Sequence, residues 1–230
     1  MSPLDTIPPL PFLPDAVVFD MDGLMLDSER AINACMARVA RELGHDIPDS
    51  LWLRMIGGGD GLCRRLLSER IGAEAAGVLL ARAEEAYDLV ADAGIDHRPG
   101  IVDLLELLVA RGIPRAVATS TRRPLAMRKL AAAGLLPYFD AVCTSSDVAK
   151  PKPAPDVYLL AASTLGVAPS RCLVLEDSPT GVRAALAAGM TPIQVPDLLE
   201  PDDEVRALRH RIVGSLAVAQ HLLEARLAAG

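Results

Sequence analysis

The stretch Ala16-Val17-Val18-Phe19-Asp20-Met21-Asp22-Gly23 sets four uninterrupted apolar residues directly before two aspartates and a glycine. A short apolar run without alternation predicts a strand buried on both faces of a parallel sheet. Similar runs recur at 115–119, 141–143, 172–175 and 192–195. Helix-length patterns lie between them at 101–110, 124–133, 156–165 and 181–188, and three of these run into Gly112, Gly134 or Gly189 just past their ends. A glycine there tolerates the left-handed stop of a helix. Strands alternating with such helices predict βαβ units, so the fold class is α/β with a parallel sheet.

The first strand does not lead directly to the second. About seventy residues, Glu29 to roughly Arg98, intervene with almost no strand signal. Helical patterns at 28–43, 61–71 and 74–92 predict an all-helical insertion over the carboxyl edge of the strands, where open α/β sheets bind ligands. A final helix is expected from Leu216 to Leu227. The chain has 230 residues, and at about 150 residues per domain this fits one full domain with a smaller insert. Hydrophobic residues make up 51% and aromatics only 3%, so the core must be built from Ala, Leu, Val and Ile. The net charge of −7 and the scarcity of aromatics argue against a nucleic-acid binder. The cysteines, Cys35, Cys63, Cys143 and Cys172, form no Cys-x-x-Cys pair and read as reduced thiols. No apolar run approaches a membrane span, and the proline-rich opening, MSPLDTIPPLPFLPD, lacks the basic region of a signal peptide. A soluble cytoplasmic protein is expected.

Four elements carry chemistry. Asp20 and Asp22, two residues apart at a strand end, are able to project to one side and divide labour between attack and proton transfer. A turn whose aspartates cap the next segment is the equally weighted alternative. A second acidic pair, Glu176-Asp177, follows another strand. Carboxylates gathered on neighbouring strand ends repel one another and call for a cation, and an all-oxygen set suits Mg²⁺ better than zinc. Thr119-Ser120-Thr121-Arg122 opens a helix with hydroxyls and free amides, a cradle for phosphate or an ordinary cap. Lys150-Pro151-Lys152-Pro153-Ala154-Pro155-Asp156 holds two of the chain's three lysines, with prolines restricting the backbone around Lys152.

These four elements, in this order, resemble the haloacid-dehalogenase superfamily of phosphohydrolases, and the resemblance runs from Ala16 to about Pro196. FDMDGLMLDSE at 19–29 looks like the first motif of that family, TST at 119–121 the second, KPKPAPD at 150–156 the third and LEDSPTG at 175–181 the fourth. The resemblance implies a Rossmann-like core at 15–28 and 99–230 and a helical cap at 29–98, while the prolines of residues 1–14 read as a short extended tail. It implies that Asp20 is the nucleophile that forms an aspartyl-phosphate and that Asp22 is the acid/base. Thr119 and Lys152 match phosphate-binding positions, with Ser120 and Gly23 beside them. Asp177 matches a metal-binding carboxylate, Glu176 contributes directly or through water, and the Asp20 carboxylate and Asp22 backbone carbonyl complete the share of the protein in a Mg²⁺ shell. Pro151 departs from the glycine usual before the third-motif lysine, but the Lys-Pro-Ala-Pro-Asp string keeps Lys152, not Lys150, in register.

The function so implied is a Mg²⁺-dependent phosphatase acting on a small phosphorylated metabolite: a sugar phosphate, a nucleoside monophosphate or phosphoglycolate. The opening and LEDSPTG stretches lean toward the branch of sugar-phosphate and pseudouridine-phosphate phosphatases. A phosphomutase like β-phosphoglucomutase is the alternative, disfavoured because Arg30, Ala31, Ile32 and Asn33 include no histidine. A dehalogenase has no use for Asp22. Gly57-Gly58-Gly59-Asp60-Gly61, with Arg54 and Arg64 flanking it, falls where a cap loop would help select substrate. Trp52 reads as cap core, and His97 and Arg98, at the cap hinge, as ordinary surface residues, with a substrate contact as the alternative. Nothing in the chain demands more than a monomer, or a nucleic-acid or membrane partner.

Overall fold

The computed structural model describes residues 9–55 and 59–228. Six parallel strands form one sheet in the order β3-β2-β1-β4-β5-β6. They are β1 (Ala16–Phe19), β2 (Arg115–Thr119), β3 (Ala141–Thr144), β4 (Cys172–Glu176), β5 (Thr191–Gln194) and β6 (Arg211–Ile212). The first five are the apolar runs of the sequence. The sixth is only two residues long and half-buried, too short to leave a periodic signal.

Successive strand residues point to opposite faces, and the sheet accordingly separates two cores. Val17, Phe19, Val117, Leu173 and Leu175 face one of them, which α5 (Ile101–Ala110), α6 (Arg123–Ala132) and α10 (Leu216–Ala228) help to close. Ala16, Val18, Ala116, Ala118, Cys172 and Val174 face the other. There they meet Ala161 and Ala162 of α7 (Asp156–Leu165) and Ala184 and Ala185 of α8 (Pro179–Ala187). Small residues on both sides of that seam let the helix backbones approach the sheet closely, so a tight core forms with few aromatics. The fully buried Phe19 is an exception, meeting Phe139 edge to face with centroids 5.6 Å apart.

The insertion between β1 and α5 is helical throughout its described residues: α1 (Ser28–Glu42), α2 (Asp49–Met55), α3 (Gly59–Ile71) and α4 (Ala73–Ala93). The sequence periodicity misses α2, whose seven residues span two turns. In α4 the buried positions Ala76, Leu79, Ala83, Ala86, Tyr87 and Ala91 trace one helical stripe. The two chain crossings are bonded to each other, Asp27 N–H to the Asp96 carbonyl at 2.9 Å and Arg98 N–H to the Met25 carbonyl at 2.8 Å. A short helix α9 (Asp203–Arg206) follows β5.

Residues 9–14, in the proline-rich opening, form no helix or strand and lie against the core. Leu10 is buried in the core, and Arg171 donates to the Leu13 carbonyl at 2.7 Å while stacking on Phe12.

The register places the chemistry. Phe19 pairs with Leu175 and with Val117, so Asp20 lies abreast of Glu176, and Thr119 ends the strand on the other side. Strand order reverses around β1, which opens a crevice at these carboxyl ends. Because Phe19 packs the floor of this crevice, Phe19→Ala is expected to lose about 3–5 kcal/mol of stability. The exposed Leu89→Ala on α4 should change it by less than about 0.5 kcal/mol. Equilibrium urea unfolding of the two variants checks both values.

Candidate active site

At the tip of β1 the Asp20 amide donates to the Leu175 carbonyl at 3.0 Å, extending the ladder by one rung and fixing the direction of its side chain. The Asp20 Oδ1 accepts from Lys152 Nζ at 2.6 Å. The same ammonium donates to Glu176 Oε1 at 2.7 Å and lies 3.1 Å from the Tyr158 hydroxyl. Tyr158, fully buried on α7, donates in turn to Glu176 Oε1 at 3.0 Å. Lys152 emerges from the loop before α7 with its side chain only 3% exposed. Lys150 is exposed, so of the two lysines in this loop it is Lys152 that meets Asp20.

Glu176 has little freedom left. Besides Lys152 and Tyr158 on one oxygen, its Oε2 accepts from the Ser178 amide at 2.8 Å and the Ser178 hydroxyl at 3.0 Å. A carboxylate has about four lone-pair directions, and protein donors occupy all four. A Cβ on Gly181 would overlap this carboxylate. Ser178 also caps α8 by accepting from the Gly181 amide at 3.0 Å. The cap of α8 thus falls to Ser178, which leaves the Asp177 carboxylate for the site. Gln194 Nε2 donates to the Asp177 carbonyl at 2.9 Å.

Asp20, Glu176 and Asp177 each offer an oxygen within 4.8 Å of the others. Burial, opposed by Lys152 and reinforced by Glu176 and Asp22, pushes the Asp20 carboxyl up to about 7. Burial, then the charges of Glu176 and Asp20, push Asp177 well above the usual carboxylate range. Burial also opposes ionisation of Glu176, but Lys152 outweighs it and holds this carboxyl low.

The second aspartate faces a different partner. Asp22 Oδ1 contacts the ammonium of Lys129, and Oδ2 accepts from the Thr121 hydroxyl at 2.6 Å. Lys129 lies on α6 with its side chain 2% exposed, whereas that of Asp22 is 26% exposed toward the crevice. Burial disfavours the Asp22 carboxylate, yet the Lys129 charge and hydrogen bond hold its pKa below the usual value. Sequence reading did not reveal Lys129, Tyr158 or the side-chain role of Thr121.

Thr119 is buried at the end of β2, its Oγ1 accepting from the Thr121 amide at 3.0 Å, and Ser120 is exposed beside it. Gly23 takes a φ of +82°, and a Cβ there would collide with the Asp177 carboxylate. Its amide donates to the Leu26 carbonyl at 2.9 Å, so what it gives the site is room rather than a free donor. Of the more distant candidates, His97 bonds to the Ala133 carbonyl at 2.8 Å and Arg98 pairs with Asp197 at 2.7 Å, both structural duties. Trp52 packs on the core, and Arg54 and Arg64 are exposed. The glycine-rich stretch at 57–61 lies partly outside the described residues.

Two carboxyls with raised pKa bind protons in the folded state at pH values where the unfolded chain has released them. In that window stability falls as pH rises. In EDTA, Asp177→Asn is therefore expected to melt at a higher temperature than the parent at pH 8, with the gain shrinking toward pH 5. Thermal unfolding followed by circular dichroism at both pH values checks this sign.

Comparison with known proteins gives the family. Residues 14–189 match the model of the haloacid dehalogenase-like hydrolases. A phosphorylated carbohydrates phosphatase of Thermotoga maritima is 32% identical over 180 residues, covering 78% of this chain and 83% of the relative. Hexitol phosphatase A of Escherichia coli is 35% identical over 180 residues, with coverages of 77% and 81%. A crystal structure from Thermotoga maritima, provisionally named a beta-phosphoglucomutase, superposes with a TM-score of 0.78 at 29% identity, covering 91% of this chain and 98% of the other. With the family match over three quarters of its length and an α/β fold shared with the superposed structure, the chain belongs to the haloacid dehalogenase-like hydrolases.

Proposed function

We propose that the protein is a cytoplasmic, monomeric, Mg²⁺-dependent phosphatase that hydrolyses a small organic phosphate monoester through an aspartyl-phosphate. The observation that carries this reading is the position of Asp20, held at 2.6 Å by Lys152 and set against Glu176 and Asp177. Three carboxylates against one ammonium leave two negative charges in excess, which one divalent cation balances. The donors are all oxygen, the chemistry that Mg²⁺ prefers. Asp20, Asp177 and the Asp22 carbonyl would hold the ion, while Glu176, saturated by protein donors, adds charge to its surroundings. When bound, the ion supplies charge neutralisation at the phosphoryl oxygens.

The residues of the chain then act as follows. Lys152 and Thr119 bind and orient the phosphoryl group, with Ser120 at the mouth. Asp20 attacks phosphorus as the bond to the leaving oxygen breaks, and Asp22, which Lys129 keeps ionised in the empty site and which takes up a proton from the bound phosphate monoanion, gives that oxygen its proton. Asp22, now a carboxylate, takes a proton from water as the water attacks the mixed anhydride. Inorganic phosphate departs and Asp20 is regenerated. Residues 29–98 act as a cap over the crevice, and 15–28 with 99–230 as the core. Sugar and sugar-alcohol phosphates lead the candidate substrates because the relatives named above are phosphatases of such compounds. Nucleoside monophosphates and phosphoglycolate complete the panel.

Inorganic phosphate release from this panel tests the reading. Activity should require Mg²⁺, vanish in EDTA and fall by a factor of about 10³ or more in Asp20→Asn. No release from any member would overturn it. Interconversion of hexose 1- and 6-phosphates would then assign the mutase activity that the name of the superposed structure suggests. Against that outcome stands the start of α1, where Arg30, Ala31, Ile32 and Asn33 include no histidine.

A further inference from the structure

The chain has three lysines, and two of them, Lys129 and Lys152, have side chains no more than 3% exposed. Both contact an aspartate at the end of β1. Lys152 belongs to the motif read from sequence, whereas Lys129 sits on the apolar stripe of α6 between the buried Ala126 and Leu130.

A merely structural account of Lys129 is weak. Apolar residues of similar volume usually match or exceed a buried ion pair in stability, and this stripe is otherwise apolar. Arginine is the common cation of this chain, yet a lysine occupies this position. Its compact ammonium acts as a point charge on a single carboxylate oxygen. Its stem and head lie between two bodies: Asp22 on the sheet side and the Tyr87 ring of α4 on the other, 5.3 Å from centroid to Nζ.

We infer that Lys129 is a positioning residue for proton transfer, holding the Asp22 carboxyl in the orientation from which it protonates the leaving oxygen. The inference rests on the acid/base reading of Asp22 given above. Thr121 fixes one oxygen and Lys129 the other, which removes rotation of the carboxyl about its terminal torsion. Each oxygen keeps a lone-pair direction, so the proton still has a seat. As the P–O bond breaks and the proton passes to the departing oxygen, Asp22 becomes a carboxylate, and the ammonium beneath it is placed to meet that charge. Tyr87 closes the far side of Lys129, so a helix of the insertion helps to keep the ammonium against Asp22.

The test compares two leaving groups in the metal-loaded enzyme. An alkyl phosphate releases an alkoxide that must be protonated as it leaves, whereas p-nitrophenyl phosphate releases a phenolate that needs no proton. In Lys129→Met the ratio of kcat for the alkyl ester to kcat for the aryl ester is expected to fall at least about tenfold, in the direction given by Asp22→Asn. Lys129→Gln, which keeps a neutral donor of similar length, should fall between the parent and Lys129→Met. It stands in if the methionine variant fails to fold. An unchanged ratio in the lysine variants, with or without an equal loss on both esters, overturns the inference while the phosphatase reading stands. An unchanged ratio in Asp22→Asn overturns the acid role of Asp22 and the inference with it. A parent inactive on both esters is failure of the phosphatase reading itself.

Discussion

Too much buried negative charge at the carboxyl ends of β1 and β4 is the constraint on which the rest of the site depends. Asp20, Glu176 and Asp177 converge within 4.8 Å, and like charges at that range in a poorly solvated crevice repel strongly. The fold answers each carboxylate differently. Glu176 is quenched by four protein donors. Asp20 shares one ammonium and keeps lone pairs toward the crevice. Asp177 has its backbone braced by Gln194 while its carboxyl stays high. Chemically similar residues thus acquire different duties from the supply of donors around them, and the remaining deficit of positive charge is the reason a divalent cation belongs there.

Backbone close approach makes this crowding possible. Gly23 and Gly181 each leave room for a carboxylate from another segment, Asp177 in one case and Glu176 in the other. A methyl group at either place would push a charged group out of the cluster. Two glycines that hold no reacting atom therefore set the spacing of the carboxylates that do. Ser178 contributes in the same way by capping α8 itself.

Much of this was legible in the sequence because strand ends announce themselves. An apolar run that stops at an acidic pair or a hydroxyl cluster marks both a buried strand and the polar residues it must display, and Asp20, Thr119, Glu176 and Asp177 all sit at such junctions. Lys152 was legible through its prolines. Lys129 was not, because a lysine three residues after Ala126 and one before Leu130 reads as a tolerated irregularity on a helical stripe. Its partner Asp22 lies 107 residues away. Tyr158 was hidden for the opposite reason: a tyrosine in an apolar helical pattern reads as core, and its hydroxyl contact depends on the tertiary placement of α7. The elements missed, α2, α9 and β6, are short, seven, four and two residues respectively, and periodicity needs more turns or more alternations to show.

The attachments of the helical insertion differ in strength in a way that bears on access to the crevice. Where the chain crosses between insertion and sheet, backbone hydrogen bonds join residues 25–27 to 96–98. Arg30 and Arg98 also converge on Asp197, whose side chain is 3% exposed. That junction is partly desolvated, so its charges are poorly screened and resist separation. Where α4 meets α6, by contrast, Arg128 pairs with Asp88 and Asp92 in the open, and exposed pairs of this kind contribute about 0–1 kcal/mol. The contact of substance in the second seam is Tyr87 against Lys129. Separating α4 from α6 would thus disturb the ammonium that holds Asp22, and the position of the insertion and the orientation of the proton donor are linked through Lys129.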